Sequence, residues 1–266
     1  MIGMTVPGQA LTGRRALVCG ASAGIGRAIA LALAAAGAEV TAVARSTAGL
    51  QSLVDEIRSQ NGTADWLQGD LEEREHLCDE VSALIATTGP IHILINNTGG
   101  VPSGPILEAN EADFLRPFGR HVLASQLLTQ LLLPGMKEEG YGRILNIVST
   151  SVREPIPGLG VSNTIRGAMA GWSKSLSREL PPGVTINNVL PGFTKTDRLN
   201  DLGQAIAGRE GSTPEAVLSR WLTEVPEGRL AQPAEIAATV AFLASPSGAF
   251  VRGASIPVDG GRMRSI

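Results

Sequence analysis

The sequence predicts an α/β fold, one doubly wound parallel sheet forming a single domain, on three observations. Short apolar runs alternate along the chain with segments of helical periodicity, which is the pattern of repeated βαβ units. The first run, Ala16 to Cys19, enters a turn with Gly20, Gly24 and Gly26 at GxxxGxG spacing, and helix formers follow from Ile25 to Ala36. The 266 residues, 43% hydrophobic and 18% charged, contain no linker-like or low-complexity break, so one large core is expected.

Composition removes several classes of function. A net charge of −3 with scattered Lys and Arg offers no basic face for nucleic acid. No run of 18 apolar residues is present, which argues against a membrane span. The early residues lack the charged and apolar regions of an export signal, so the chain reads as cytoplasmic, with residues 1–11 as a loose leader. Cys19, in the first strand, and Cys78, in a helical segment, are too few for a disulfide framework and read as reduced thiols. No metal site is expected.

The glycine turn lets the backbone bend sharply and approach a ligand, with N–H groups and the positive helix end facing an anion. A dinucleotide pyrophosphate suits that description; a tight βα turn without a ligand is the alternative. The second strand, Glu39 to Ala44, ends at Arg45, where a dinucleotide fold meets the adenosine ribose. A carboxylate there suits NAD and an arginine suits a 2′-phosphate, so Ala44 and Arg45 favour NADP, unless Arg45 is only a solvated strand end. A helix from Ala48 to Ser59 and an Asn61-Gly62 turn precede the third strand, Thr63 to Leu67. Beyond it, Asp70 either accepts from an adenine amino group or caps a helix starting near Glu72. The fourth strand, Ile91 to Ile95, runs into Asn96, Asn97, Thr98, Gly99 and Gly100.

These motifs resemble the short-chain dehydrogenase/reductase family, which implies a Rossmann-type fold and a nicotinamide dinucleotide cofactor. The resemblance continues through Gly142 to Ser149 (a fifth strand with its terminal serine), Pro191, Gly192 and Thr196 (a loop touching the nicotinamide carboxamide), Gly228 and Arg229, a helix from Pro233 to Leu243, and Val258 to Gly261. It implies cofactor contacts at Gly20, Ser22, Gly24, Ile25, Gly26, Arg45, Asp70, Leu71, Asn97, Gly99, Pro191, Gly192, Thr194 and Thr196. The nearest kin resemble 3-oxoacyl-carrier-protein reductases.

The family's proton relay combines a serine, a Tyr four residues before a Lys on the fifth helix, and an Asn on the fourth helix. Here the corresponding positions hold Ser149, Ser162, Arg166 and His121, the last by counting back from Pro134 at the end of the fourth helix. A tyrosine hydroxyl can be brought within range of proton exchange, whereas a serine hydroxyl is far less acidic and needs a base. Arg166, four residues after Ser162 on the same helix face, holds ribose hydroxyls but passes no proton. Tyr141, the single tyrosine, lies at the wrong end of the fifth strand. His121 titrates near neutrality and suits proton exchange, with Pro117 kinking the helix before it; it reads equally as a packed core residue. His76 and His92 read as surface residues.

Leu123, Leu127, Leu128, Leu131 and Leu132 make the fourth helix apolar on more than one side. By resemblance the fourth and fifth helices pair between subunits, and a homotetramer is expected. Between Thr196 and Pro226, Asp197, Arg198, Arg209, Arg220 and Trp221 either shape a pocket for a carboxylate or phosphopantetheine or are solvated helix faces. The reading is an NADP-dependent oxidoreductase interconverting a carbonyl and a secondary alcohol, with Ser149 and Ser162 orienting the oxygen and His121 or a water carrying the proton. The alternatives are a dinucleotide-binding protein without hydride transfer, a redox sensor or silent subunit, and a cofactor-assisted isomerase or dehydratase.

Overall fold

The computed structural model describes residues 9–101 and 103–265. The chain runs β1 (Arg15–Cys19), α1 (Gly24–Ala35), β2 (Glu39–Ala44), α2 (Thr47–Ser59), β3 (Thr63–Gln68), α3 (Arg74–Thr88), β4 (Ile93–Asn96), α4 (Glu111–Phe118), α5 (Ala124–Glu138), β5 (Gly142–Ile147), α6 (Gly160–Leu176), β6 (Val184–Pro191), α7 (Asp197–Glu210), α8 (Pro214–Thr223), α9 (Pro233–Ala244) and β7 (Ser255–Val258). All strand pairs are parallel, in the order β3-β2-β1-β4-β5-β6-β7.

Side-chain alternation decides the layers. In β1, Ala16 and Val18 face one core, shared with Ile29 and Leu33 of α1, Leu50 and Leu53 of α2, and Val240 and Leu243 of α9. Leu17 and Cys19 face the other, shared with Leu77 and Val81 of α3 and Leu128 and Leu132 of α5. Both faces are therefore covered, which is why the strands read as short continuous apolar runs. Leu17 of β1 sits opposite Thr41 of β2 on one side and Leu94 of β4 on the other. The connections diverge between β1 and β4, and a crevice opens beyond the carboxyl ends of the strands.

Several boundaries differ from expectation. Of the expected leader, residues 1–8 lie outside the described residues, while Leu11 is fully buried and its N–H donates to Ala36 O at 2.8 Å. Pro134 does not end a helix: it lies inside α5, because the buried side formed by Leu128, Leu132 and Met136 continues past it. β5 stops at Ile147, and Ser149 caps a short 3₁₀ turn, Thr150–Val152. α6 ends at Leu176. His92 is a buried residue and not a surface one: its Nδ1 accepts the Arg15 N–H at 3.0 Å and its ring meets Tyr141 edge-on.

Pro117 leaves α4 without one N–H, and the next five residues, Gly119–Leu123, form a π-helical turn before α5. Just beyond, Ser125 Oγ donates to the His121 carbonyl at 2.6 Å. α7 and α8 form a small lobe over the sheet edge, where Phe193 and Trp221 stack with centroids 5.0 Å apart.

Candidate active site

A cavity of about 560 Å³ occupies the crevice. It is lined by Gly20, Ser22, Gly24, Ile25, Gly26, Arg45, Asp70, Leu71, Asn97, Gly99, Pro191, Gly192 and Thr196, and also by Ser149, Ser162 and Arg166. Two expected site residues are not on its wall. Thr194 is buried and spends its hydroxyl on Gly192 O at 3.1 Å. His121 is buried behind Thr98, which does line the cavity and whose Oγ1 lies 2.7 Å from His121 Nδ1.

The glycine turn serves the chain itself before any ligand. Gly20 has φ +62° and a Cβ there would lie 2.6 Å from Asn97 O; a Cβ on Gly26 would lie 2.1 Å from Gly20 O. Asn97 Nδ2 donates to Gly20 O at 3.1 Å, tying β4 to the turn. The close-approach reading therefore applies to the packing of β1, α1 and β4, whereas Gly99 has no atom within 4 Å of a Cβ position and leaves the cavity open. The N-terminus of α1 begins at Ala23 with no capping side chain, so its first N–H groups remain for an anion. An uncapped helix end beside the open backbone of Gly99 fits a dinucleotide pyrophosphate.

At the end reached by β2, Arg45 is 70% exposed and stands 3.8 Å from Asp70. Asp70 Oδ1 accepts the Glu72 N–H at 3.0 Å, a local turn rather than a helix cap, since α3 starts at Arg74. Arg120, a lining residue that sequence reasoning passed over, pairs with Glu72 at 3.3 Å and donates to Gly100 O at 3.2 Å.

The other end holds the serines. Ser149 Oγ accepts the Ser151 N–H at 3.1 Å, which leaves its proton free to donate. Ser162 and Arg166 share one face of α6, and Arg166 Nη1 donates to Ile147 O at 2.9 Å. Burial, then the guanidiniums of Arg120 and Arg198, lower Arg166 to about 10. Burial, then Arg166 and Arg120, hold His121 well below the usual imidazole range, against a smaller opposing bond to the Gly99 carbonyl. Its ring is neutral at neutral pH. Arg198 and Asp197 line the cavity, while Arg209 is exposed, Arg220 pairs with Glu210 at 3.0 Å, and Trp221 is core. Thr196 lines the cavity and also caps α7, accepting the Leu199 N–H at 3.3 Å, and a Cβ on Gly24 would lie 3.3 Å from its Cγ2. No cluster of three or more His, Cys, Asp or Glu suited to a metal ion, and no helix long and apolar enough to cross a membrane, occurs among the described residues.

Comparison with known proteins follows the same outline. The family model described as Enoyl-(Acyl carrier protein) reductase matches residues 20–262. The chain is similar to the 2-keto-3-deoxy-L-fuconate dehydrogenase of Xanthomonas campestris pv. campestris, 36% identical over 98% of this chain and 85% of that protein. It is similar to the 3-oxoacyl-(acyl-carrier-protein) reductase FabG of Vibrio cholerae, 33% identical over 94% and 98%. Among solved structures it is similar to the L-sorbose reductase of Gluconobacter frateurii complexed with NADPH and L-sorbose, with a TM-score of 0.90 and 26% identity over 98% of this chain and 100% of that one. With its seven-stranded parallel sheet, its glycine turn and these matches across nearly its whole length, the chain belongs to the short-chain dehydrogenase/reductase family.

Proposed function

We propose that this protein is an NADP(H)-dependent oxidoreductase that interconverts a carbonyl compound and a secondary alcohol with a proton relay unlike the family's. The observation that carries this reading is a single cavity joining an uncapped helix N-terminus and Arg45 at one end to Ser149, Ser162 and Arg166 at the other. That similar reductases hold NADPH supports the choice of cofactor.

When bound, a reduced nicotinamide supplies a hydride to the carbonyl carbon. Ser149 and Ser162 then donate hydrogen bonds to the carbonyl oxygen and hold it in place. Arg166, one turn beyond Ser162, stabilises charge that develops on that oxygen, and its guanidinium keeps its proton. His121 is neutral and screened by Thr98, so it donates no proton at neutral pH; solvent delivers the proton through the hydroxyl of Ser162. Turnover is correspondingly slow.

Mixing the purified protein with NADPH and a panel of ketones, including 3-oxoacyl thioesters, and following the absorbance of the reduced cofactor tests the reading. Slow consumption is expected, rising in the double variant Ser162→Tyr, Arg166→Lys, which restores the family's acid and its ammonium neighbour. NADPH binding without turnover in either protein across a broad panel would overturn hydride transfer and leave a binding protein.

The reading extends to a homotetramer. Leu123, at the end of the π-helical turn, and Leu127 on α5 are 40% and 36% exposed, and Gly167 and Gly171 on the neighbouring α6 have no atom within 4 Å of a Cβ position, which together make an apolar, close-approach surface for a second copy.

A further inference from the structure

We propose that Arg166 and Arg198 form an anion-recognition pair and that the substrate carries a carboxylate beside its reacting carbon; this names the substrate class of the oxidoreductase site proposed above and rests on that reading. The cavity wall holds four arginines. Arg45 and Arg120 pair with Asp70 and Glu72 at 3.8 and 3.3 Å. Arg166 and Arg198 have no carboxylate within 4.0 Å among the described residues.

Each of this second pair is held by a backbone carbonyl instead. Arg166 donates to Ile147 O at 2.9 Å, and Arg198 Nη2 donates to Val101 O at 2.6 Å. Arg198 lies flat on the backbone of Gly100, where a Cβ would come within 2.0 Å of its Nε. α7 thus delivers one guanidinium and α6 the other, with their positions fixed from behind. A guanidinium has five N–H donors, so one carbonyl leaves four on each arginine, enough on Arg166 for both the ribose hydroxyls that the family resemblance implies and an anion. The charges also act on one another, since after burial Arg120 and then Arg198 lower Arg166.

Like charges gathered on a partly desolvated wall are costly unless an anion neutralises them, and a planar carboxylate matches the guanidinium fork. The phosphates of the cofactor are the competing source of that anion. They already have the uncapped α1 N-terminus and Arg45, whereas Arg166 stands one turn from Ser162, beside the group that holds the carbonyl oxygen. In a 2-oxo acid or its 2-hydroxy counterpart the carboxylate is bonded to the reacting carbon, so both groups fall to neighbours on one face of α6.

Isothermal titration of oxalate, a planar dicarboxylate, into protein saturated with NADP+ tests the proposal, with neutral oxamide as the control. Oxalate is expected to bind and oxamide not, with oxalate affinity falling at least tenfold in Arg198→Gln and in Arg166→Gln, and less in Arg166→Lys, which keeps the charge but loses the fork. Circular dichroism verifies that each variant is folded. Absence of oxalate binding to the NADP+-loaded protein would overturn the proposal, as would competition between oxalate and NADP+, which would assign the pair to the cofactor's phosphates. Failure of NADP+ itself to bind would instead overturn the oxidoreductase reading, and oxalate titrated into the free protein would then decide the anion pair alone.

Discussion

His121 sets a pH dependence that works through stability rather than turnover. In the folded protein burial, Arg166 and Arg120 hold its ring well below 6.5, whereas the unfolded chain titrates near 6.5. Stability is therefore full above that value. As pH falls through it, the unfolded state binds a proton that the folded state refuses, and stability drops by up to about 1.4 kcal/mol per pH unit. His92, lowered by its own burial and by Arg14 and Arg15, adds to the slope. Urea unfolding at about pH 7.5 and about pH 5.5 is expected to show the loss, and His121→Asn a smaller one; equal losses would mean the ring titrates normally. Arg45 makes a separate residue-scale prediction. Being 70% exposed and shared with Asp70, it contributes modestly: Arg45→Ala should weaken NADPH about tenfold, equivalent to about 1.4 kcal/mol, and leave NADH unchanged. A fluorescence titration with equal losses for both would remove the argument for the 2′-phosphate.

Among the elements, two kinds of glycine meet at the cavity, one where β1 enters α1 and one just after β4. Gly26→Ala puts a methyl group 2.1 Å from Gly20 O and is expected to destabilise the protein by about 3 kcal/mol, read as a lower urea midpoint. Gly99→Ala meets open space, so its stability should stay within about 0.5 kcal/mol of the parent while NADPH affinity falls. The reverse pattern would make Gly99 the structural residue. The α4–α5 junction shows the same division of labour. Pro117 sits inside α4, the π turn follows without a break, and His121 in that turn is buried, where Thr98 and not the cavity receives it.

For the whole molecule, the sheet and its two helical layers are complete within one chain, so the exposed Leu123 and Leu127 are not needed to close the core. They are the surface through which copies associate in the proposed tetramer. Light scattering on the parent should report a multiple of the chain mass, and Leu127→Glu, which sets a charge in that interface, should reduce it without lowering the monomer's helix content. A monomeric parent would refute the tetramer and leave the cavity, which is built within one chain, unaffected.

The doubly wound parallel sheet and most of the cavity wall are legible in the residues alone. β2 spans Glu39–Ala44 as its apolar run indicates, and the residues at the strand ends line the crevice because a parallel sheet gathers every carboxyl end on one edge. Periodicity and glycine spacing are local signals, and the strand ends carry them. Which side chains from distant segments meet emerges with the packed fold. Thr98 covers His121, Thr194 turns to its own backbone, and Arg198 crosses from α7 to Gly100. Pro134 sits within a helix that its buried side sustains, and His92 goes inside because Arg15 and Tyr141 receive it. Those outcomes depend on contacts between residues tens of positions apart, where burial and charge act through space and leave no periodic trace along the chain.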